Sequence, residues 1–229
     1  RLNILGHEAA HRLLFTNRRA NVWVGRWLLS YPTYTAFMAY RRAHFSHHRD
    51  EMGPEEPDLS LYAGYPIPAE SWRRKMRRDA TGVSAYKLFR GLFASARKGR
   101  REAWYIIGFH IMFLGTTIAF GRPVVYLVWI LSWSTLWRVT NRVRAIAEHG
   151  GMTRSKDRRE TTHVIRQTLL ARMWMVPYNT GWHLAHHVDM GVPWRNLPQL
   201  HDELVAAGWV TPDLEYPSYR AFIRDATSG

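Results

Sequence analysis

Tyr178-Asn179-Thr180-Gly181-Trp182-His183-Leu184-Ala185-His186-His187 carries three imidazoles at positions i, i+3 and i+4. On a helix those positions share one face, so the three rings converge. His44-Phe45-Ser46-His47-His48 repeats the spacing, and His7-Glu8-Ala9-Ala10-His11 has its i, i+4 form. Eight of the 12 histidines thus fall in three short boxes. Nitrogen donors at this density predict a metal site, and the rest of the chain is expected to be the scaffold that gathers them.

With 229 residues the chain is long enough for one domain with a sizeable core, and residues 1–229 are read as that single domain. A 46% hydrophobic composition with 11 Trp, 11 Tyr and 9 Phe excludes disorder. There is no cysteine. That excludes disulfides, thiolate-bound zinc and cysteine-ligated iron–sulfur clusters. Any metal must be held by nitrogen and oxygen, and redox equivalents must come from a separate protein. A net charge of +14 calls for an anionic partner, either nucleic acid or lipid headgroups. The apolar segments described next select lipid, so a membrane and no nucleic acid is the expectation. The sequence opens on Arg1, shows no signal peptide and reaches a histidine box within six residues. It is therefore expected to be a fragment, or to lack a hydrophobic segment ahead of box one.

Box one is predicted on a helix over 4–15. Residues 22–40 are rich in Trp, Leu and Tyr but carry Arg26 and Pro32. Two crossings of a bilayer need roughly 40 residues, and the interval between His11 and His44 is shorter. If the two boxes share a centre, this segment lies in the membrane interface or dips in and returns. Box two follows on a helix over 38–49. Residues 51–68, with four prolines, read as a loop. Residues 72–101 interleave arginines and lysines with Trp72, Tyr86, Phe89, Leu92 and Phe93, the pattern of one amphipathic helix lying on headgroups. Residues 104–120 and 123–137 are the most apolar stretches, joined at Gly121-Arg122-Pro123. They predict a transmembrane hairpin over about 104–137, with Arg-rich flanks on the cytoplasmic side. A helix over 138–149, a charged loop to Glu160, a helix to about Met175 and a soluble tail from Asp202 complete the reading. The fold class is all-α: an integral membrane helical protein with a cytoplasmic cap domain that carries the histidine boxes.

Eight or nine imidazoles exceed the needs of one zinc ion and suit two ions with four or five nitrogens each. Iron suits an oxygen-activating centre near a membrane, because it can change oxidation state. His7-Glu8-x-x-His11 alone also matches a zinc metalloprotease motif. That reading leaves six histidines without a role. His149, on the cytoplasmic side between hairpin and last box, is taken as the ninth ligand. Glu8 and Glu148 are candidates for orienting ligands, Asp50 and Asp189 weaker ones. His110 is expected to make a structural hydrogen bond, and His163 and His201 to be non-ligands.

From His7 to about Leu204 the sequence resembles the membrane fatty acid desaturases of the acyl-lipid type. The three boxes stand in that family's order, with the hydrophobic hairpin between the second and third. Glu55-Glu56-Pro57-Asp58 resembles its acidic loop after box two. Gly191-Val192-Pro193-Trp194 and Leu197-Pro198-Gln199-Leu200-His201 resemble its segment after box three. Arg144 to Gly150 resembles the stretch that supplies its extra histidine.

The resemblance implies a non-haem di-iron oxidase. Its ligands would be His7, His11, His44, His47, His48, His149, His183, His186 and His187. It would use dioxygen and two electrons to remove hydrogens from adjacent methylenes of an acyl chain held in a dry channel. No haem motif is fused, so the implied donor is a separate ferredoxin or cytochrome b5-like protein. Where acyl-CoA members carry a water-holding Asn one turn before the extra histidine, this chain has Ala145, and Asn141 is a weak substitute. A lipid hydroxylase or carotenoid ketolase on the same scaffold, a zinc intramembrane protease and a non-enzymatic membrane-binding protein are the competing expectations.

Overall fold

Box one lies on α1 (Leu2–His11) of the computed structural model, which describes residues 1–229. The helix stops four residues short of Phe15. Arg12 turns left-handed (φ 66°), its N–H bonds Ala9 O at 3.0 Å, and Leu13 N–H bonds Glu8 O at 3.0 Å. That pair of bonds closes off the last carbonyls of the helix. α2 (Arg18–Val24) starts at Asn17, whose side chain accepts from Arg19 N at 2.8 Å and Ala20 N at 3.2 Å.

The chain then widens into a π-helical turn over Gly25–Ser30, tightens through Tyr31–Thr33, and reverses at left-handed Tyr34. A Cβ at Gly25 would stand 2.6 Å from the Phe37 ring and 2.9 Å from Ala9 Cβ. Only glycine lets this turn lie so close to its neighbours. The apolar segment 22–40 therefore doubles back, and α3 (Phe37–Arg49) returns alongside α1. Ala9, Ala10, Leu29 and Phe37 are buried together where they meet.

The loop after box two contains one short helix, α4 (Leu59–Tyr62). The basic stretch expected as one helix over 72–101 is two, α5 (Ala69–Ala80) and α6 (Val83–Arg97). Gly82, at φ 79°, makes the break between them. α7 (Arg101–Ala119) and α8 (Pro123–Ser134) pack against each other as a helical hairpin. It is tied to the reversal at 31–34: Trp129 Nε1 donates to Pro32 O at 2.8 Å, His110 Nε2 to Tyr31 O at 3.1 Å, and the Tyr34 and Tyr126 hydroxyls meet at 3.1 Å.

α7 is the one helix long and apolar enough to cross a membrane. Its 19 residues give about 28 Å of rise. α8, with 12 residues, gives about 18 Å; the backbone kinks at Thr135 before Trp137 is reached, so the second arm is shorter than expected. Ile111, Met112, Ile118, Phe120, Val124 and Leu127 of the hairpin are exposed.

α9 (Leu136–His149) follows the kink and is held to α5 by the buried pair Asp79–Arg142, in which the guanidinium donates through both Nε and Nη2. Between 161 and 175, where a helix is expected, only α10 (Leu169–Trp174) is helical. Val164 and Ile165 instead form β1, paired in parallel with β2 (Glu215–Tyr216). Both are β-branched and buried, which favours a strand over a helix. α11 (His183–Val188) carries box three and packs against α12 (Leu197–Ala206). The expected soluble tail is instead part of the core. In α13 (Tyr219–Ala226), Phe222 and Ala226 bury against Tyr62, Tyr65, Ile146, Ala147 and Ile165.

Candidate metal centre

The structure brings all nine predicted histidines together, and divides them. Ring nitrogens of His7, His11, His44, His48 and His186 form one group; those of His47, His149, His183 and His187 form a second. Within each group the nitrogens lie within 4.8 Å of one another. The two H-x-x-H-H boxes do not each face one way, as three rings on one helical face suggested. The i, i+4 pair of box two, His44 and His48, enters the first group while His47 turns to the second. In box three the pair His183 and His187 enters the second group while His186 turns to the first. One spacing is thus used in opposite senses, and each box ties both groups together.

Carboxylates and one carbonyl set the ring orientations in the second group. His47 Nδ1 donates to Glu56 Oε2 at 2.6 Å, and His149 Nδ1 to Thr161 O at 2.8 Å. His187 Nδ1 donates to Glu51, which also takes hydrogen bonds from Arg158 and Thr161. A carbonyl and an ionised carboxylate can only accept, so a neutral ring bonded to one carries its proton on Nδ1 and presents a bare Nε2. The Nε2 atoms of His47 and His187 are 3.3 Å apart; those of His183 stand 3.0 Å from His187 and 3.1 Å from His149. In the first group His44 Nε2 lies 2.7 Å from His11 and 3.0 Å from His48, and His48 Nε2 3.1 Å from His186.

Nitrogens at about 2.0–2.1 Å from one ion stand about 2.8–3.0 Å apart at adjacent octahedral positions and about 3.3–3.4 Å apart in a tetrahedron. Most of these separations match. When both rings are neutral, His47 and His187 present only lone pairs to each other, and a bound cation stabilises that form. Both ring nitrogens of His7 are buried without a partner. The donor set fits two nitrogen-ligated transition metals.

Electrostatics keep the ligands ready. Burial, reinforced by neighbouring histidines, holds His44, His186 and His187 well below the usual imidazole range, and His11 falls to about 4 through burial and then Arg41. Neutral imidazole is the form that ligates. His47 is the exception: burial is the largest influence and lowers it, but the Glu56 hydrogen bond and the charges of Glu56, Glu51 and Asp58 together raise it. Burial pushes the Glu8 carboxyl up to about 7, against the backbone N–H it accepts from Trp194.

A cavity of about 260 Å³ opens on both groups, reaching His7, His44 and His186 as well as His47, His149 and His183. α9 supplies one wall through Arg138, Asn141, Arg144, Ala145 and Glu148, residues spaced three and four apart. Of the 23 lining residues 6 are hydrophobic.

Glu8 lies 3.6 Å from His7 Nδ1, and Glu148 lies 3.7 Å from His183 Nε2, both at the edge of the centre. Asp50 pairs with Arg154, and Asp189 accepts from Gly191 N, so neither touches a ligand. His110 makes its structural hydrogen bond as expected, His163 bonds Gly150 O at 2.7 Å, and neither they nor His201 enter a group. The sequence reading missed Glu51 and Thr161 altogether, and quoted Glu56 without a role. Glu51 continues box two at i+3 from His48, a usable local signal. Its partner His187 is 136 residues away and gives no spacing to read.

A profile of the family described as Fatty acid desaturase matches residues 1–220. The dihydrorhizobitoxine desaturase of Bradyrhizobium elkanii is 25% identical, with the match covering 84% of this chain and 60% of that protein. The chain thus spans less than two thirds of the length of that curated relative. No solved structure matches the chain significantly.

Proposed function

The chain belongs to the fatty acid desaturase family, and we propose that it is a membrane-bound di-iron oxidase that introduces a double bond into an acyl substrate. The observation that carries this reading is the division of nine histidines into groups of five and four, bridged by both H-x-x-H-H boxes. His7, His11, His44, His48 and His186 would hold one iron; His47, His149, His183 and His187 would hold the other. Iron, when bound, supplies the electron transfer that couples dioxygen reduction to cleavage of two C–H bonds. The balance is R–CH2–CH2–R′ + O2 + 2e⁻ + 2H⁺ → R–CH=CH–R′ + 2H2O. The two electrons come from a separate ferredoxin or cytochrome b5-like donor.

The protein's own part is positional. Glu51, Glu56 and Thr161 fix the tautomer and direction of three ligand rings. Burial holds most of the rings in the neutral, ligating form, His47 excepted. The exposed apolar side chains of the hairpin suit a lipid environment, and the arginines at its two ends favour a cytoplasmic face for the iron centre. A zinc protease is disfavoured by the same geometry, because His7 and His11 stand among five imidazoles rather than in an open three-ligand site.

The test is metal analysis and product detection together. Iron-loaded protein should carry two irons per chain and yield an oxygen-dependent product two mass units lighter than its substrate, and His186→Ala should yield none. Full product from that variant, or protein that takes up only zinc, would overturn the assignment. A product sixteen mass units heavier would move the reading to a hydroxylase.

A further inference from the structure

We propose that the α9 wall of the cavity binds a substrate carboxylate, and that the carbons to be oxidised lie within a few bonds of it. The inference rests on the desaturase reading and narrows it, from acyl chains in general to compact carboxylic acids.

Polar atoms without partners point to it. Arg138 Nε, Arg144 Nε and Glu148 Oε1 are buried without a hydrogen bond, and all three residues line the cavity. Arg142, one turn beyond Arg138, is by contrast engaged by Asp79 through both Nε and Nη2. A buried guanidinium N–H with no acceptor is costly unless something fills the site. Glu148 does not: its Oε1 stands 3.5 Å from Arg144 Nε without making a hydrogen bond. Asn141 lies between the two arginines on the helix and adds an amide donor. A planar guanidinium fork matches a carboxylate in two parallel hydrogen bonds. Arg138 lies over the Trp133 ring and Arg144 is in ion-pair range of Glu148, but a run of methylenes along this wall would leave both Nε–H groups without an acceptor.

The distance to the metals sets the length of the substrate. Arg144 precedes His149 by five residues, about 7.5 Å of helical rise. Glu148, one turn beyond Arg144, is already 3.7 Å from His183 Nε2. A carboxylate held at Arg144 therefore brings only its first few carbons to the two histidine groups.

The experiment compares octanoate, 2-aminooctanoate, methyl octanoate and phosphatidylcholine vesicles on the iron-loaded full chain, by calorimetry without oxygen and by product analysis with it. Octanoate or its 2-amino derivative should bind, the ester and vesicles should not, and the double bond should form near the carboxyl end. Which of the two acids binds tighter separates a simple carboxylate from an amino-acid type. Arg144→Gln should weaken binding about tenfold with two irons still bound, the loss of one charge-assisted hydrogen bond. Arg144→Lys should recover part of it. If Arg144→Gln does not fold, Arg138→Gln and Asn141→Leu test the same wall. Equal binding of ester and acid, or unchanged binding in an iron-replete Arg144→Gln protein, overturns the proposal. Carboxylate binding with no oxygen-dependent product would sink the desaturase reading instead and leave this site standing.

Discussion

Replacing Glu51 by Gln tests whether the second histidine group is organised by its carboxylate partners. Glu51 is 1% exposed and takes hydrogen bonds from His187 Nδ1, Arg158 and Thr161. Gln keeps the shape and one acceptor oxygen but removes the charge. A hydrogen bond to a charged group contributes about 1.5–3 kcal/mol, a neutral one about 1, so the His187 contact loses on the order of 1–2 kcal/mol. That corresponds to roughly a tenfold loss of metal affinity, at the lower end of what losing a ligand's supporting partner costs. The effect should fall on the ion held by His47, His149, His183 and His187, because Glu51 bonds no ring of the other group. The assay is titration of metal-free protein with iron against a competing chelator, followed by counting ions per chain. The variant should show one unchanged and one weakened binding step. Two unchanged steps would refute the orienting role, and equal weakening of both would refute the separation into two groups.

His186→Ala and His187→Ala, adjacent in sequence, should strip different ions, each leaving about one iron per chain and no product; metal analysis with spectroscopy of the remaining ion checks this. Metal-free protein should lose stability as pH falls below about 6.5, since unfolded imidazoles protonate there while the buried ones resist, His11 down to about 4. Glu8, raised to about 7, acts with the opposite sign, losing stability as pH rises from the usual glutamate range towards 7, but the histidines outnumber it. Urea midpoints at pH 7.5, 6.0 and 5.0 should therefore fall in that order, and a flat profile would contradict it. Asp79→Ala should destabilise by about 3–5 kcal/mol by leaving Arg142 buried and unpaired, and adding Arg142→Leu should restore much of that loss. Chemical denaturation of the single and double variants measures both values.

The histidine boxes were legible because metal ligation depends on residue type and on local helical spacing, both written in consecutive residues. The hairpin over α7 and α8 was legible for a similar reason, since continuous apolarity interrupted at Gly121-Arg122-Pro123 is a local signal. The single basic helix was not, because its break rests on one glycine at positive φ within a good helical pattern. The strand at Val164 and Ile165 is not legible because its partner, Glu215–Tyr216, lies 51 residues on. The tail from Asp202 reads as polar, yet Phe222 and Ala226 close the largest apolar cluster. Such pairings depend on which surfaces meet, and no periodicity records that.

The sequence by itself determined the chemistry available to this protein: nine imidazoles, no thiolates, a helical scaffold and an apolar hairpin. Tertiary structure alone decided how the imidazoles are shared, since the same H-x-x-H-H spacing sends its odd ring to opposite groups on α3 and α11. It also decided which carboxylates orient them and left the Nε–H groups of two cavity-lining arginines of α9 without a hydrogen-bond acceptor. The reason is physical. A side chain's identity and helical phase are fixed within a few residues, whereas what it meets depends on the packing of distant helices.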